Sequence, residues 1–273
     1  MTDHTLIESK TLDYYEELPD NKERIFNLLQ SYSKIPVDKI EDHLRDIRDR
    51  AWKVFPYGCI GRWLFLDCVI TSSPEYPRIL KRLEAGEVLL DAGCAFGYVL
   101  RQLAADGSPA SNLIGTDLQQ GFIDLGYELF KDRDSFSARF IAGDLLKPED
   151  PNLDSIDGKV DIIHAAALFH LFDWDDQVTL GSRLVKFFKP DANAMLVGRQ
   201  VGTLYPTKRG TQKDQDISGW YRHNLETWQQ LWDEIGDKTG TQWRVRGTLQ
   251  EMQSRTTGND LGRASLNFVI AKV

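Results

Sequence analysis

The amino-acid sequence predicts an α/β protein: a mostly parallel, doubly wound sheet preceded by a helical segment. Three observations carry that prediction. From Val88 onward, short apolar runs alternate with stretches of helical periodicity, the pattern of β-α-β units. The first three of these runs are followed closely by an acid, Asp91, Asp117 and Asp144. The chain then closes on two strand candidates with no clear helix between them, which requires at least one antiparallel strand.

The elements follow in order. Residues 1–84 read as a helical segment, in which Asp20-Asn21 is placed to cap a helix through Ile25, Leu28 and Leu29. After Pro36 a second helix places Ile40, Leu44, Ile47 and Ala51 at helical spacing, with Glu41/Arg45 and Asp46/Arg50 as i,i+4 pairs on its outer face. Residues 85–273 form the α/β domain. Strands are expected at 88–91, 113–117, 138–141, 160–164 and 194–201, with helices at 96–105, 121–130 and 175–188, the last stopping before Pro190. A helix at 224–235 precedes the two closing strands, 242–249 and 265–273. The polar stretch from Gly202 to Gly219 is long enough for a lid or substrate loop.

Bulk properties exclude several classes. A formal net charge of -8 without a basic tract argues against binding nucleic acid or anionic lipid. The most apolar stretch, Trp63 to Ile70, is short and interrupted by Asp67, and residues 1–20 lack an apolar signal core, so a cytoplasmic protein with no membrane span is expected. Cys59, Cys68 and Cys94 lack C-x-x-C spacing, which disfavours a disulfide framework or a zinc site; no metal is expected.

The most informative segment is Asp91-Ala92-Gly93-Cys94-Ala95-Phe96-Gly97-Tyr98. A strand ends in an acid, turns through glycines and enters a helix whose first N–H groups are available to an anion. Gly93 permits a tight turn and Gly97 a close backbone approach. The dinucleotide fingerprint G-x-G-x-x-G fails here at Ala95 and Tyr98. S-adenosylmethionine (SAM) suits the looser pattern: Asp91 is placed to take its ammonium, and the loop around Gly93, Cys94 and Gly97 its carboxylate. Asp117, 20 residues after Gly97, is placed to accept the ribose hydroxyls. Asp144 is placed for the adenine amino group, and Leu118 and Leu145 to flank the base.

This stretch resembles the class I SAM-dependent methyltransferases. The resemblance implies their Rossmann-like fold, a seven-stranded sheet with an antiparallel last strand, and SAM as cofactor. Ala95 in place of the usual middle glycine is a mild departure. Further segments resemble a narrower family, the small-molecule methyltransferases of fungal meroterpenoid and related secondary-metabolite pathways. They are Arg50-Ala51-Trp52, Tyr57-Gly58-Cys59-Ile60-Gly61, Phe169-His170-Leu171-Phe172-Asp173-Trp174, and Arg222-His223-Asn224 with Trp228 and Trp232. That resemblance implies methylation of a carboxylate on a prenylated polyketide, with hydroxyl or carbon methylation as alternatives, and a homodimer.

Methyl transfer needs an aligned acceptor, and a hydroxyl acceptor also needs a base. His170, after the fourth strand and among Phe169, Phe172 and Trp174, is the first candidate for base or orienting group; a partly buried histidine bonding backbone is an equal reading. His223 is second, although a capping or surface role suits it somewhat better. Arg199, or Arg62, is placed to pair an anionic acceptor. Trp52, Phe55, Tyr57 and Trp63 are candidates to cap the cofactor or line an apolar pocket, at least half of them being core. His164 is expected to point into the sheet, and His4 and His43 to lie on the surface. The competing readings are a SAM-binding regulator, disfavoured by the lack of basic or disordered segments, and a nucleotide-dependent oxidoreductase, disfavoured by the failed fingerprint.

Overall fold

The computed structural model describes residues 14–206, 220–252 and 262–273. The expected helical segment comprises α1 (Glu23–Ser31), α2 (Val37–Val54), the single turn α3 (Gly58–Gly61) and α4 (Tyr76–Glu84), with 3-10 turns between α3 and α4. α1 starts two residues later than the Asp20-Asn21 cap predicts, at an N-cap of Lys22 that makes no side-chain bond. α2 buries Ile40, Leu44, Ile47 and Ala51, the stripe read from spacing.

The α/β part runs β1 (Leu89–Ala92), α5 (Tyr98–Ala105), β2 (Leu113–Asp117), α6 (Gln120–Phe130), β3 (Arg139–Ala142), β4 (Ile162–His164), α7 (Trp174–Phe187), β5 (Met195–Thr203), α8 (Leu225–Thr239), β6 (Trp243–Glu251) and β7 (Arg263–Lys272). The strand order is β3-β2-β1-β4-β5-β7-β6. β1 to β5 pair in parallel, and β7 is antiparallel to both neighbours, which gives the reversed strand the resemblance implies. Strand four is shorter than read: Val160 makes only an isolated bridge to Phe188, and regular pairing starts at Ile162. α8 begins at a capping box, with Asn224 and Thr227 each bonding the other's backbone N–H.

Alternate residues of the parallel strands feed two cores. Leu89, Ile162, Met195 and Val197 face α5, α6 and the N-terminal helices. Leu90, Ile163 and Leu196 face α7 and α8, where Trp228 and Trp232 are fully buried. The N-terminal segment is tied to α6 and the residues that follow it: Tyr32 bonds Asp132, His43 Nε2 lies 3.0 Å from Leu129 O, and Arg50 pairs with Glu128. His43 is thus partly buried against a neighbouring helix and is not the surface residue expected. Among the described residues, no helix is long and apolar enough to cross a membrane, and no cluster of three or more metal-ligating side chains occurs. Residues 207–219, most of the expected lid, and His4 lie outside the described residues.

Candidate active site

The parallel register brings the first two acids to one edge. Asp91 pairs with Gly115 and Ala92 with Thr116, so Asp117 ends β2 beside the turn that leaves β1; Ala142, two residues before Asp144, is its partner on β3. The glycine loop folds across the end of β2: Gly93 and Cys94 N–H both donate to Thr116 O, at 2.8 and 2.9 Å. Gly97 N–H closes the turn on Cys94 O at 2.7 Å. Gly93 and Gly97 take φ of 75° and 64°, as their choice requires. Ala95 takes φ of 46°, so the departure from glycine stands in a left-handed conformation.

Asp117 is the front anchor of this loop. Its Oδ2 accepts the Ala95 N–H and its Oδ1 the Gln119 N–H, both at 2.9 Å. A carboxylate has about four acceptor sites, so these bonds do not exhaust it. Burial pushes its carboxyl up to about 6, although the backbone N–H groups of Gln119, Ala95 and Leu118 pull the other way. The N-terminal segment reaches this group. Burial raises the Tyr57 hydroxyl and the Cys59 thiol, each to about 12, and the charge of Asp117 adds to both. The Tyr57 ring packs between Phe55 and Phe122.

Asp144 accepts the Leu146 N–H at 2.9 Å and is itself placed by Asp150, which accepts the Asp144 N–H. Leu145 is buried; Leu118 is half exposed, at 50%. Cys94 is buried, with its thiol pushed well up by desolvation.

Sequence reasoning missed the rear anchor. Arg101, fully buried on α5, donates Nε and Nη2 to the two oxygens of Asp132 at 2.8 and 2.9 Å. Its Nη1 donates to Phe96 O at 2.9 Å and Gly97 O at 3.4 Å, so the guanidinium grips the loop backbone from behind. Phe130, Phe136, Phe140 and Tyr127 surround it. A Cβ at Gly97 would sit 2.6 Å from Nη1, so this glycine also makes room for the arginine. Nothing local in Leu100-Arg101-Gln102 distinguishes this residue from a surface arginine; its partner lies 31 residues on.

Asp91 Oδ1 accepts from His164 Nδ1 at 2.7 Å, both side chains being buried. His164, expected to point into the sheet, is thus the partner of the first acid.

The acceptor-side groups divide. His170 sits in the 3-10 turn Phe169–Leu171 after β4. Burial pushes its imidazole down to about 3, with Arg222 and Arg263 adding to the effect. His223 is fully buried among Trp174, Tyr221 and Trp228. Its Nε2 lies 3.1 Å from Gln177 Oε1 and its Nδ1 3.1 Å from Thr227 Oγ1; burial pushes it, too, down to about 3. With both nitrogens engaged, His223 is placed as a packing group of the α7–α8 core and not beside an acceptor. Arg199, on β5, is already paired with Asp67 of the N-terminal segment at 2.7 Å. Trp63 is core, its Nε1 bonded to Tyr15 O, whereas Trp52 is partly buried against Tyr14.

A glycine turn anchored by acids at the carboxyl edge of a β3-β2-β1-β4-β5-β7-β6 sheet defines a class I SAM-dependent methyltransferase. Two family models match: a meroterpenoid methyltransferase N-terminal domain over residues 13–66 and a methyltransferase domain over residues 89–191. The chain is 39% identical to the O-methyltransferase phiE of a fungal species, over 86% of this chain and 80% of that one. It is 37% identical to the Asnovolin E/Chermesin D methyltransferase nvfJ of Aspergillus novofumigatus, over 90% and 87%. The chain belongs to the meroterpenoid methyltransferase family of fungal secondary metabolism. The fold is shared with the CurJ carbon methyltransferase at a TM-score of 0.52 and 17% identity, over 92% of this chain and 67% of that one.

Proposed function

We propose that this methyltransferase esterifies a carboxylate of a small, largely apolar metabolite of the prenylated polyketide type. SAM supplies an electrophilic methyl group on a sulfonium. Asp117 accepts from its ribose hydroxyls, Asp144 from the adenine amino group with Leu118 and Leu145 on either side, and the Gly93–Gly97 turn holds the amino-acid end. The N-terminal segment, with Tyr57 close to Asp117, covers the donor and excludes water.

One observation carries the choice of acceptor. The two histidines expected to act on the acceptor side, His170 and His223, are both held at about 3. An imidazole that weak cannot take a proton from a phenol or alcohol at a useful rate, since efficiency falls as the base's pKa drops below the working pH. A carboxylate is already ionised at neutral pH and needs no base. His170 then acts as a neutral orienting group. Relatives named as O-methyltransferases, phiE and atr3 of Stereocaulon alpinum, support oxygen as the acceptor atom. We take the active species to be a cytoplasmic homodimer that engages neither nucleic acid nor membrane, with light scattering as the test of its mass.

Transfer of a radiolabelled methyl group to a prenylated polyketide acid tests the acceptor. Label released by mild alkali marks an ester and is the expected result. Alkali-stable label marks an ether or a carbon–carbon bond and overturns the carboxylate reading.

A further inference from the structure

We propose that His164, held by Asp91, is the group that binds the ammonium of the donor's methionyl moiety; the proposal rests on reading the pocket as a SAM site. Asp91 and His164 are register partners on the adjacent parallel strands β1 and β4, so their side chains project from the same face of the sheet. It is the face of Leu89 and Ile162, which the N-terminal segment covers. Both residues lie at the carboxyl edge: His164 ends β4, and Asp91 stands two residues before the turn at Gly93.

The hydrogen bond determines what the ring presents. An ionised carboxylate only accepts, so the 2.7 Å contact places the ring proton on Nδ1. In the neutral ring, Nε2 is then a lone-pair acceptor. That atom is buried, in a residue only 2% exposed, and has no hydrogen-bond partner among the described residues. A buried acceptor left unpaired is costly and calls for an explanation. A cationic donor supplies one. The negative charge of Asp91 behind the imidazole compensates the ammonium, much as a carboxylate behind a metal-ligating histidine fixes its tautomer and raises its basicity. A ligand carboxylate would face the negative charges of both Asp91 and Asp117. The binding work is thereby divided: Asp117 reads the nucleoside, and His164, with Asp91 as its positioning residue, reads the amino-acid end.

Calorimetry on the full chain with two ligands separates this role from a structural one. S-adenosylhomocysteine carries both ends of the donor; 5′-methylthioadenosine carries the nucleoside and lacks the amino acid. His164→Phe is expected to weaken S-adenosylhomocysteine by about tenfold or more, the scale of one charged hydrogen bond, and to change methylthioadenosine by less than twofold. His164→Gln, whose amide oxygen can still accept, is expected to recover part of the loss. Equal loss for both ligands, or none for S-adenosylhomocysteine, overturns the proposal. The wild-type chain gives a check that does not depend on a variant folding: it should bind the desamino analogue of S-adenosylhomocysteine at least several-fold more weakly, and equal affinity also overturns the proposal. Failure of the wild type to bind either nucleoside ligand would instead overturn the SAM reading itself.

Discussion

At the ends of β1, β2 and β3, acidic side chains bond backbone N–H groups or an imidazole. Beyond β4 and β5, His223 and Arg199 are instead engaged by other side chains. Asp117 and Asp144 each accept from backbone N–H groups near the strand ends. On the other side, His223 is locked between Gln177 and Thr227, and Arg199 is paired with Asp67. The cofactor half is therefore preorganised around charge, as recognition of one invariant, highly polar ligand requires. The other half offers desolvated imidazoles, His170 with the charges of Arg222 and Arg263 acting on it and His223 among aromatic rings.

The comparison is tested first at the rear of the loop, where the largest effect is expected. Arg101→Met leaves Asp132 buried with the Tyr32 hydroxyl but without its compensating charge and should cost about 3–5 kcal/mol, measured by urea unfolding. Replacing both, Arg101→Met with Asp132→Leu, should recover most of that stability while SAM affinity stays low, because Phe96 O and Gly97 O still lose their donor. If Arg101→Met is as stable as the wild type, the loop does not depend on this support.

Next in size is Asp117→Ala, which removes two charge-assisted acceptors from the ribose as well as the bond to Ala95 N–H. SAM affinity should fall by about 100-fold in calorimetry, from roughly 1.5 kcal/mol per bond. The matching change on the other half, His223→Ala, should lower stability through a cavity and an unpaired Gln177, leaving the KM for the acceptor little altered in the folded fraction. A selective rise in that KM at unchanged stability would make His223 a substrate residue and erase the contrast.

These two halves also differ in how well the sequence announces them. The parallel strands, the crossovers and the reversed β7 follow from apolar runs alternating with helical spacing, and the strand-end acids follow from the same count, because strand ends and glycine turns are local. Asp117 needed only its distance from Gly97. The partner of His164 is not legible because pairing across β1 and β4 joins residues 73 positions apart, and no local pattern records that register. Arg101 and Asp132 fail to stand out for the same reason: each reads alone as a surface charge, and only the fold buries the pair. His223, for which a capping or surface place is the better expectation, is buried because the aromatic enclosure around it comes from α7 and α8 together.

The pH dependence sharpens the contrast at a smaller scale. The carboxyl of Asp117 stands at about 6 without ligand, and in the proposed role it accepts the ribose hydroxyls as the ionised carboxylate. Binding therefore releases a proton below that pH, so affinity should rise by up to about tenfold per unit as pH approaches 6 from below, and level off above it. The sign for folding is opposite. A carboxyl whose folded value is raised stabilises the ligand-free protein at low pH, and that contribution is lost as pH rises from about 4 to about 6. Turnover at saturating SAM should show no ionisation of His170 or His223 above pH 5, since both titrate near 3. A basic group titrating near 7 in kcat would point to a base and to a hydroxyl acceptor.

The smallest effect concerns Ala95. Its φ of 46° costs an L-residue about 1 kcal/mol or more relative to glycine. Glycine, in turn, is freer in the unfolded chain by about 0.4–1 kcal/mol. The two oppose, so Ala95→Gly should raise stability by no more than about 1 kcal/mol, a shift of about 2–4 °C in Tm at most for a chain of this size. SAM affinity should change less than twofold, because the Ala95 N–H, not its side chain, bonds Asp117. A substantial loss of affinity with the fold intact would mean that the methyl group itself shapes the ligand's seat, and that the departure from glycine is a feature of this cofactor half and not a tolerated strain.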